Sequence, residues 1–376
     1  MTSAHADRII CAGLSCLDLQ LLGCTRSGSA ESIERYDEAV YCAGGSASMA
    51  SAALSLLFRA DEKNGSKTDG TKAGTEVHVL TKVGEDLDGE RMVGFYERVG
   101  SDSSLVLRDP SSRTSMAVLP VFADGGRGCF VNLACNDSFS PQELLGRLDV
   151  LPPGGARAFL FGYPHLLPLM RGEELKSMLQ EVKQRLGKEC LIGVDLNGVS
   201  RDGHTDDLLL PALGEVDVLH LNEEEAEIIC GTDAEGNGDI TALHNAGCAV
   251  VLLSLGSKGC RISITSDGSR LGRCPAQVKS WSVGANVRAP AFAIDGEVNA
   301  NGAGDALFAG FCLGASWPSE DLGGCSLTAS EAGLLAAMVA RQRCDAQTRD
   351  GGGDMEGSMR LMERVKGGNL PKAIGA

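Results

Sequence analysis

Asp305 stands at the front of an apolar run, VNANGAGDALFAGF (Val298 to Phe311), directly after Gly302, Ala303 and Gly304. The segment before Asn301 is irregular, whereas Ala306 to Ala315 has few polar atoms and helix-compatible spacing. Asp305 is therefore expected in the first turn of a buried helix. The first four amides of a helix lack internal partners, and the helix dipole places partial positive charge there. Gly302, Ala303 and Gly304 carry no bulk, so an anion can approach those N–H groups directly. The result is an anion hole with a carboxylate at its rim. In phosphoryl transfer the loop would hold the developing negative charge, and Asp305 would accept the proton of an attacking hydroxyl. An acid in a first turn also favours the dipole by about 0.3–1 kcal/mol with no chemistry attached. The rest of the chain has to decide between the two readings.

The elements that would position Asp305 follow a clear rhythm. RIICAGL (8–14), EVHVLTKV (76–83), AFLFGY (158–163), LIGVDL (191–196), VDVLHL (216–221) and VVLLSL (250–255) read as buried strands. Between two of them, Leu175, Met178, Leu179, Val182 and Leu186 repeat at helical spacing with charges on the opposite face. Strand and helix alternating in this way predict an α/β fold, a doubly wound, mainly parallel sheet flanked by helices. Two stretches, about 19–41 and 104–131, carry β signals without helices and are expected to pair as a small β-sheet lid, the second with a hairpin turn at Asp124 to Gly128. The reading is one main domain over 1–345. Residues 59–74 form a polar, flexible insertion, and 346–376 a C-terminal tail rich in glycine and charge. There are no internal repeats.

Composition narrows the function classes. The 376 residues carry 50 acidic and 34 basic side chains, a formal charge of −16, which disfavours nucleic acid or an anionic membrane as partner. A hydrophobic content of 43% suits a globular core, and no apolar run is long enough to span a bilayer. The 14 cysteines form no CxxC pair, and Cys11, Cys190, Cys230 and Cys312 lie within apolar runs, as reduced thiols acting as small hydrophobes would. The leader MTSAHADR is short and polar, without a secretory signal, so a cytoplasmic location is expected.

With that context, NGAGDALFAG resembles the C-terminal motif D-T-x-G-A-G-D of the ribokinase-type (PfkB) carbohydrate kinases. YCAGGSASMASAALSLL resembles their N-terminal glycine pair opening a helix, and GLSCLD (Gly13 to Asp18) their sugar-holding strand end. LNEEEAEIICG resembles their N-x-x-E element, and LSLGSKGC their nucleotide-side turn. The five motifs stand in family order from residue 13 to about 315. The first sixty residues look most like ketohexokinase-type members, and the D-x-N of GVDLNG resembles fructokinases. The resemblance implies ATP-dependent phosphorylation of a hydroxymethyl group with Mg²⁺. It makes Asp305 the general base and Gly302, Ala303 and Gly304 the anion hole. Asp18, Gly44, Gly45, Ser46 and Met49 would line the sugar pocket. Asn222, Gly256, Ser257, Gly259, Asn301 and the lid residue Arg127 would face ATP, and Glu225 would organise the metal. Asn222 with Glu225 three residues on is also a capping-box signature, and the two roles can coexist.

This chain departs from the family pattern at three places. Met49 and Ser46 stand where amides usually meet sugar hydroxyls, and a buried polar group left unpaired costs about 1–3 kcal/mol. A less hydroxylated or differently shaped acceptor is therefore expected at least as much as fructose. Asn299 replaces the aspartate that opens the family motif and, in some relatives, helps hold a monovalent cation. The leading reading is a kinase acting on a small sugar-like molecule. A nucleoside kinase of the same family and a catalytically silent kinase-like binding protein are the alternatives. A Rossmann dehydrogenase is disfavoured because the first strand leads to GLSCLD, and the chain has no P-loop signature. A homodimer through the lid edges is possible on the same pattern.

Overall fold

The structure is a computed structural model that describes residues 8–375 apart from 26–32, 64–74, 123–125, 153, 197, 199–205, 233–238, 297, 318–325, 346 and 349–354. Strands β1 (Arg8–Gly13), β2 (Cys16–Cys24), β3 (Glu38–Gly44), β4 (Glu76–Leu80) and β5 (Lys82–Gly84) come first. They are followed by β6 (Leu107–Asp109), β7 (Met116–Phe122), β8 (Phe130–Asn132), β9 (Ala158–Gly162) and β10 (Leu191–Asp195). The last four are β11 (Val218–Asn222), β12 (Val250–Ser254), β13 (Cys260–Ile264) and β14 (Asn286–Ala289).

Eight of these strands form the main sheet in the order β14-β13-β12-β11-β10-β9-β1-β4, parallel from β12 to β4. Only β13 and β14 run antiparallel, at one edge. The parallel strands are rich in Val, Ile and Leu and buried along their length, as a sheet covered on both faces requires. One face packs against Ser46–Lys63, Ala303–Ala315 and Ala329–Cys344, and the other against Gly172–Leu186. After β1 the chain adds β4 on one side and β9 on the other. The strand order therefore reverses at β1/β9, the place where open α/β sheets bind ligands beyond their strand ends. There the two backbones close tightly: Gly13 has φ 114°, and a Cβ on it would lie 2.3 Å from the Gly162 carbonyl oxygen.

The lid is a separate four-stranded sheet, β3-β2-β7-β8, in which β2 and β7 run parallel. It matches the two β-rich stretches read from the sequence, with one difference: Leu107–Asp109 pairs with β5 in a small sheet of its own. The tip of the expected hairpin turn, Asp124 and Gly125, lies outside the described residues. The start of the expected insertion, Arg59 to Lys63, continues the helix Ser46–Lys63, and the remainder, 64–74, also lies outside them. The C-terminal stretch does more than trail. Its helix Ser358–Gly367 buries Leu361, Met362 and Val365 in the core, and Asp61 accepts hydrogen bonds from its Ser358 hydroxyl and Met359 amide.

Candidate active site

The glycine loop and its helix form as the local chemistry dictates. The helix spans Ala303–Ala315, and Gly302 precedes it at φ 77°, a left-handed conformation open to glycine. Asn299 pins the loop: its side-chain oxygen accepts the Asn301 N–H at 2.9 Å, while its own N–H bonds to Cys344 O. Asparagine thus keeps the loop-holding function of the motif's first position without its charge. The Ala303 amide already donates to Ala300 O, so the amides the loop offers to an anion are those of Gly302, Gly304 and Asp305. Arg343 backs the loop, its Nε 2.9 Å from where a Cβ on Gly302 would stand. Gly302→Ala forces an L-residue into that left-handed conformation, at about 1–2 kcal/mol. Steady-state assays should show kcat/KM lowered roughly tenfold as the loop relaxes.

Asp305 is buried, 5% exposed, and still lines a cavity of about 760 Å³ at the carboxyl ends of the parallel strands. The Tyr163 hydroxyl donates to its Oδ1 at 2.9 Å. Burial, and then the nearby Asp195 charge, push its pKa up to about 7; the Tyr163 bond, His220 and Arg343 pull the other way. A carboxyl poised near neutrality beside bare amides can take a proton from an alcohol at physiological pH.

The same cavity gathers Asn222, Glu225, Gly256, Ser257, Gly259, Asn301 and Arg127 with the loop. Arg127 reaches down from the lid side and donates to Asn301 Oδ1 at 3.0 Å, placing its guanidinium over the loop. Gly256, at φ 57°, and Gly259, at φ 92°, make the turn that continues the cavity wall after β12. Asn222 caps the helix Glu223–Cys230 in a full capping box with Glu225, so the capping reading holds. Both Glu225 carboxylate oxygens accept backbone N–H groups, from Gly198 and Asn222, and burial raises its pKa. Among the described residues no cluster of three carboxylate, His or Cys side chains forms a ready metal cage. One carboxylate with lone pairs to spare beside a phosphate site does fit Mg²⁺, which keeps several waters and leans on substrate phosphates.

The other expected acceptor residues play uneven parts, and none of them lines the cavity that holds Asp305. Asp18 is buried against Gly44, where a Cβ would fall 2.2 Å from its carboxylate. Burial raises its pKa to about 6; the Cys16 thiol, donating at 3.1 Å, and the Arg127 charge lower it. Gly45, at φ 84°, brings the backbone against Leu14. Ser46 turns to the sheet, its hydroxyl 3.4 Å from Asp195 Oδ2. Met49 points its methyl at Gly302 and lines a different cavity.

Three residues of the site carry no role in the sequence reading, although Asp195 opens the D-x-N of GVDLNG. Asp195 ends β10 and His220 lies in β11; His220 Nδ1 meets Asp195 Oδ1 at 2.8 Å, and its ring stacks on Phe308 with centroids 5.9 Å apart. Tyr163 follows β9 in a left-handed backbone conformation, φ 64°, which costs a non-glycine residue about 1–3 kcal/mol and aims its hydroxyl at Asp305. All three sit at or near the carboxyl ends of parallel strands, and that position is the signal that would have found them.

The profile of the "pfkB family carbohydrate kinase" matches residues 7–349. A probable fructokinase-4 from Arabidopsis thaliana is 25% identical over 199 residues, 51% of this chain and 58% of the relative. The chain thus spans little more than half the length of that curated relative. Among solved structures, Arabidopsis thaliana ribokinase complexed with ribose and ATP superposes with a TM-score of 0.66 at 17% identity, over 96% of this chain and 98% of that one. A nucleoside kinase from Methanocaldococcus jannaschii gives 0.63 at 15%, over 97% and 99%. At such identities the structures speak for the fold, which is ribokinase-like, while the profile, covering most of the sequence, settles the kinship: the chain belongs to the pfkB family of carbohydrate kinases.

Proposed function

We propose that this chain transfers the γ-phosphoryl group of ATP to a hydroxymethyl group of a small sugar-like molecule. The observation that carries the reading is the buried Asp305 carboxyl lining one cavity together with the Gly302–Gly304 loop, held there by the Tyr163 hydroxyl. The acceptor hydroxyl gives its proton to Asp305 as its oxygen bonds to phosphorus. The bond from phosphorus to the bridging oxygen breaks, and ADP leaves with the electron pair. The amides of Gly302, Gly304 and Asp305 receive the charge spread over the phosphoryl oxygens, and Arg127 covers it from the lid. Tyr163 holds the Asp305 carboxylate in orientation. Asn222 and Glu225 would hold Mg²⁺ through water and phosphate, and the ion supplies charge neutralisation when bound.

The acceptor side supports a sparse hydroxyl pattern. Tyr163 lines the Asp305 cavity, Asp18 is buried against Gly44 outside that lining, and Met49 and Ser46 are turned to other tasks. The test is ATP consumption against free sugars, polyols, sugar acids and nucleosides. One class of sugar-like acceptor should turn over. Nucleotide binding without turnover on any member would sink the reading in favour of a silent binding protein, and turnover confined to nucleosides would transfer it to that branch.

A further inference from the structure

A second cavity, of about 780 Å³, opens on the other side of the glycine loop. Its walls come from the helices Ser46–Lys63, Leu87–Val99 and Ala329–Cys344, with β2 and β3 of the lid above. In size it matches the nucleotide-side cavity and falls within the range of small-molecule sites. Its floor is apolar and adaptable, built on Leu57, Phe95, Met49, Met92 and Met355.

The polar part of the lining is one-sided. Arg91, Arg98 and Arg343 line it, and no described lining residue is acidic. The chain as a whole carries 50 acidic against 34 basic residues, so a space of this size lined by three arginines and no acidic residue, with Asp88 reaching Arg91 from outside the lining, runs against the overall charge. Two of the arginines have a local reason to be where they are. Arg98 and Arg343 lie in the last turns of their helices, where a cation offsets the dipole. That reason does not bring them to one cavity, and it does not apply to Arg91, near the start of its helix. There Arg91 lies over the Tyr41 ring at 4.7 Å and pairs with Asp88 at 2.6 Å, which fixes its guanidinium at the mouth. Arg343 belongs to the inner wall, against Gly302, and Asn301 is shared with the nucleotide-side cavity.

We propose that this cavity is a second ligand site, taking a small organic anion: a phosphate or carboxylate group carried on an apolar body. The arginines meet the charged group and the methionine-rich floor meets the body. Charge-assisted bonds to guanidinium suit either head group. Asn301 lines both cavities and Arg343 backs Gly302, so a bound anion would meet the glycine loop from behind. The binding claim is tested apart from the kinase reading through Arg91 and Arg98, which the transfer described above does not use, while Arg343 and Met49, which back Gly302, are left unchanged.

Calorimetric titration of the full chain tests it, with phenyl phosphate and benzoate as probes. Benzyl alcohol is the uncharged control, and inorganic phosphate the anion without a body. Each titration is run with and without saturating AMP-PNP. Phenyl phosphate or benzoate should bind once per chain and still bind with AMP-PNP present. Whichever binds more tightly identifies the head group, and benzyl alcohol and inorganic phosphate should bind at least tenfold more weakly. Arg98→Gln, an exposed change, should weaken the probe tenfold or more, with thermal unfolding lowered only by the small helix-dipole contribution of one cation. Arg91→Gln, also exposed, provides an independent second variant with the same expected direction. The proposal is overturned if neither probe binds, if AMP-PNP abolishes binding, if benzyl alcohol binds equally, or if both arginine variants bind like the parent. Failure of AMP-PNP itself to bind would count against the kinase reading and leave the arginine dependence readable.

Discussion

Asp305→Asn should lower kcat by roughly 10²–10⁴, the scale of a positioned acid–base group, while AMP-PNP binding is little changed. The pH dependence follows from the environment of the carboxyl. Burial first, and the Asp195 charge second, raise its pKa to about 7. The fraction able to accept a proton therefore grows as pH rises through 7, and kcat/KM of the parent should climb from pH 6 to pH 8. Stability moves the opposite way. An unfolded Asp releases its proton near pH 3.9, whereas the native one keeps it to about 7. Between those values the native state binds more protons, so its stability falls as pH rises across the window and levels off above it. Asn carries no such charge. Denaturant titrations should find Asp305→Asn more stable than the parent at pH 8, with the advantage shrinking toward pH 4. An acid that merely favoured the helix dipole would give the reverse: loss of stability at pH 8 by about 0.3–1 kcal/mol and unchanged turnover. The two experiments together leave little room between the readings.

What could be seen in the sequence and what could not divide along the distance over which residues act. The glycine loop is local. Small residues, an acid and an apolar helix lie in one short stretch, so a first-turn Asp305 is legible there, and the fold makes it the third helical residue. Asn222 and Glu225 are likewise three apart, and their capping box formed as spaced. The parallel strands were readable because burial on both faces makes each a continuous apolar run. By contrast, His220 and Asp195 are 25 residues apart and Tyr163 and Asp305 are 142 apart, so no local spacing announces either contact. The helix Ser358–Gly367 was hidden differently. Its apolar Leu361, Met362 and Val365 follow a glycine-rich stretch whose composition dominated the reading. The amides open to an anion also differ from the sequence pattern, because the Ala303 amide is bonded to Ala300 O. Met49 carries the same lesson. The sequence shows a missing amide, but only the fold shows its methyl placed against Gly302.

The buried pair behind the loop supports a second prediction of large effect. Asp195 is 1% exposed and His220 4%, and they meet at 2.8 Å with Phe308 stacked on the imidazole. Burial works against charge on His220, but Asp195 and then the more distant Glu225 and Asp305 carboxylates outweigh it, and its pKa is raised. An imidazole whose native pKa exceeds its unfolded value contributes stability at low pH. That contribution is whole below about pH 6.5 and is lost as pH climbs through the raised value. His220→Leu leaves the Asp195 carboxylate in a dry site without its cation, and breaking a buried pair in this way costs about 3–5 kcal/mol. Asp195→Leu leaves the imidazole as the stranded partner, which can shed its proton and so loses less. The double variant, Asp195→Leu with His220→Leu, replaces two charges by apolar volume, and such exchanges are often neutral or better. The expected order of urea midpoints at pH 6 is therefore parent close to the double variant, Asp195→Leu below both, and His220→Leu lowest. Additive losses, with the double variant as unstable as the sum of the singles, would mean that each side chain is held by its other neighbours. Coupling of several kcal/mol would instead identify one electrostatic unit, set against the glycine loop and stable only while its two charges stay together.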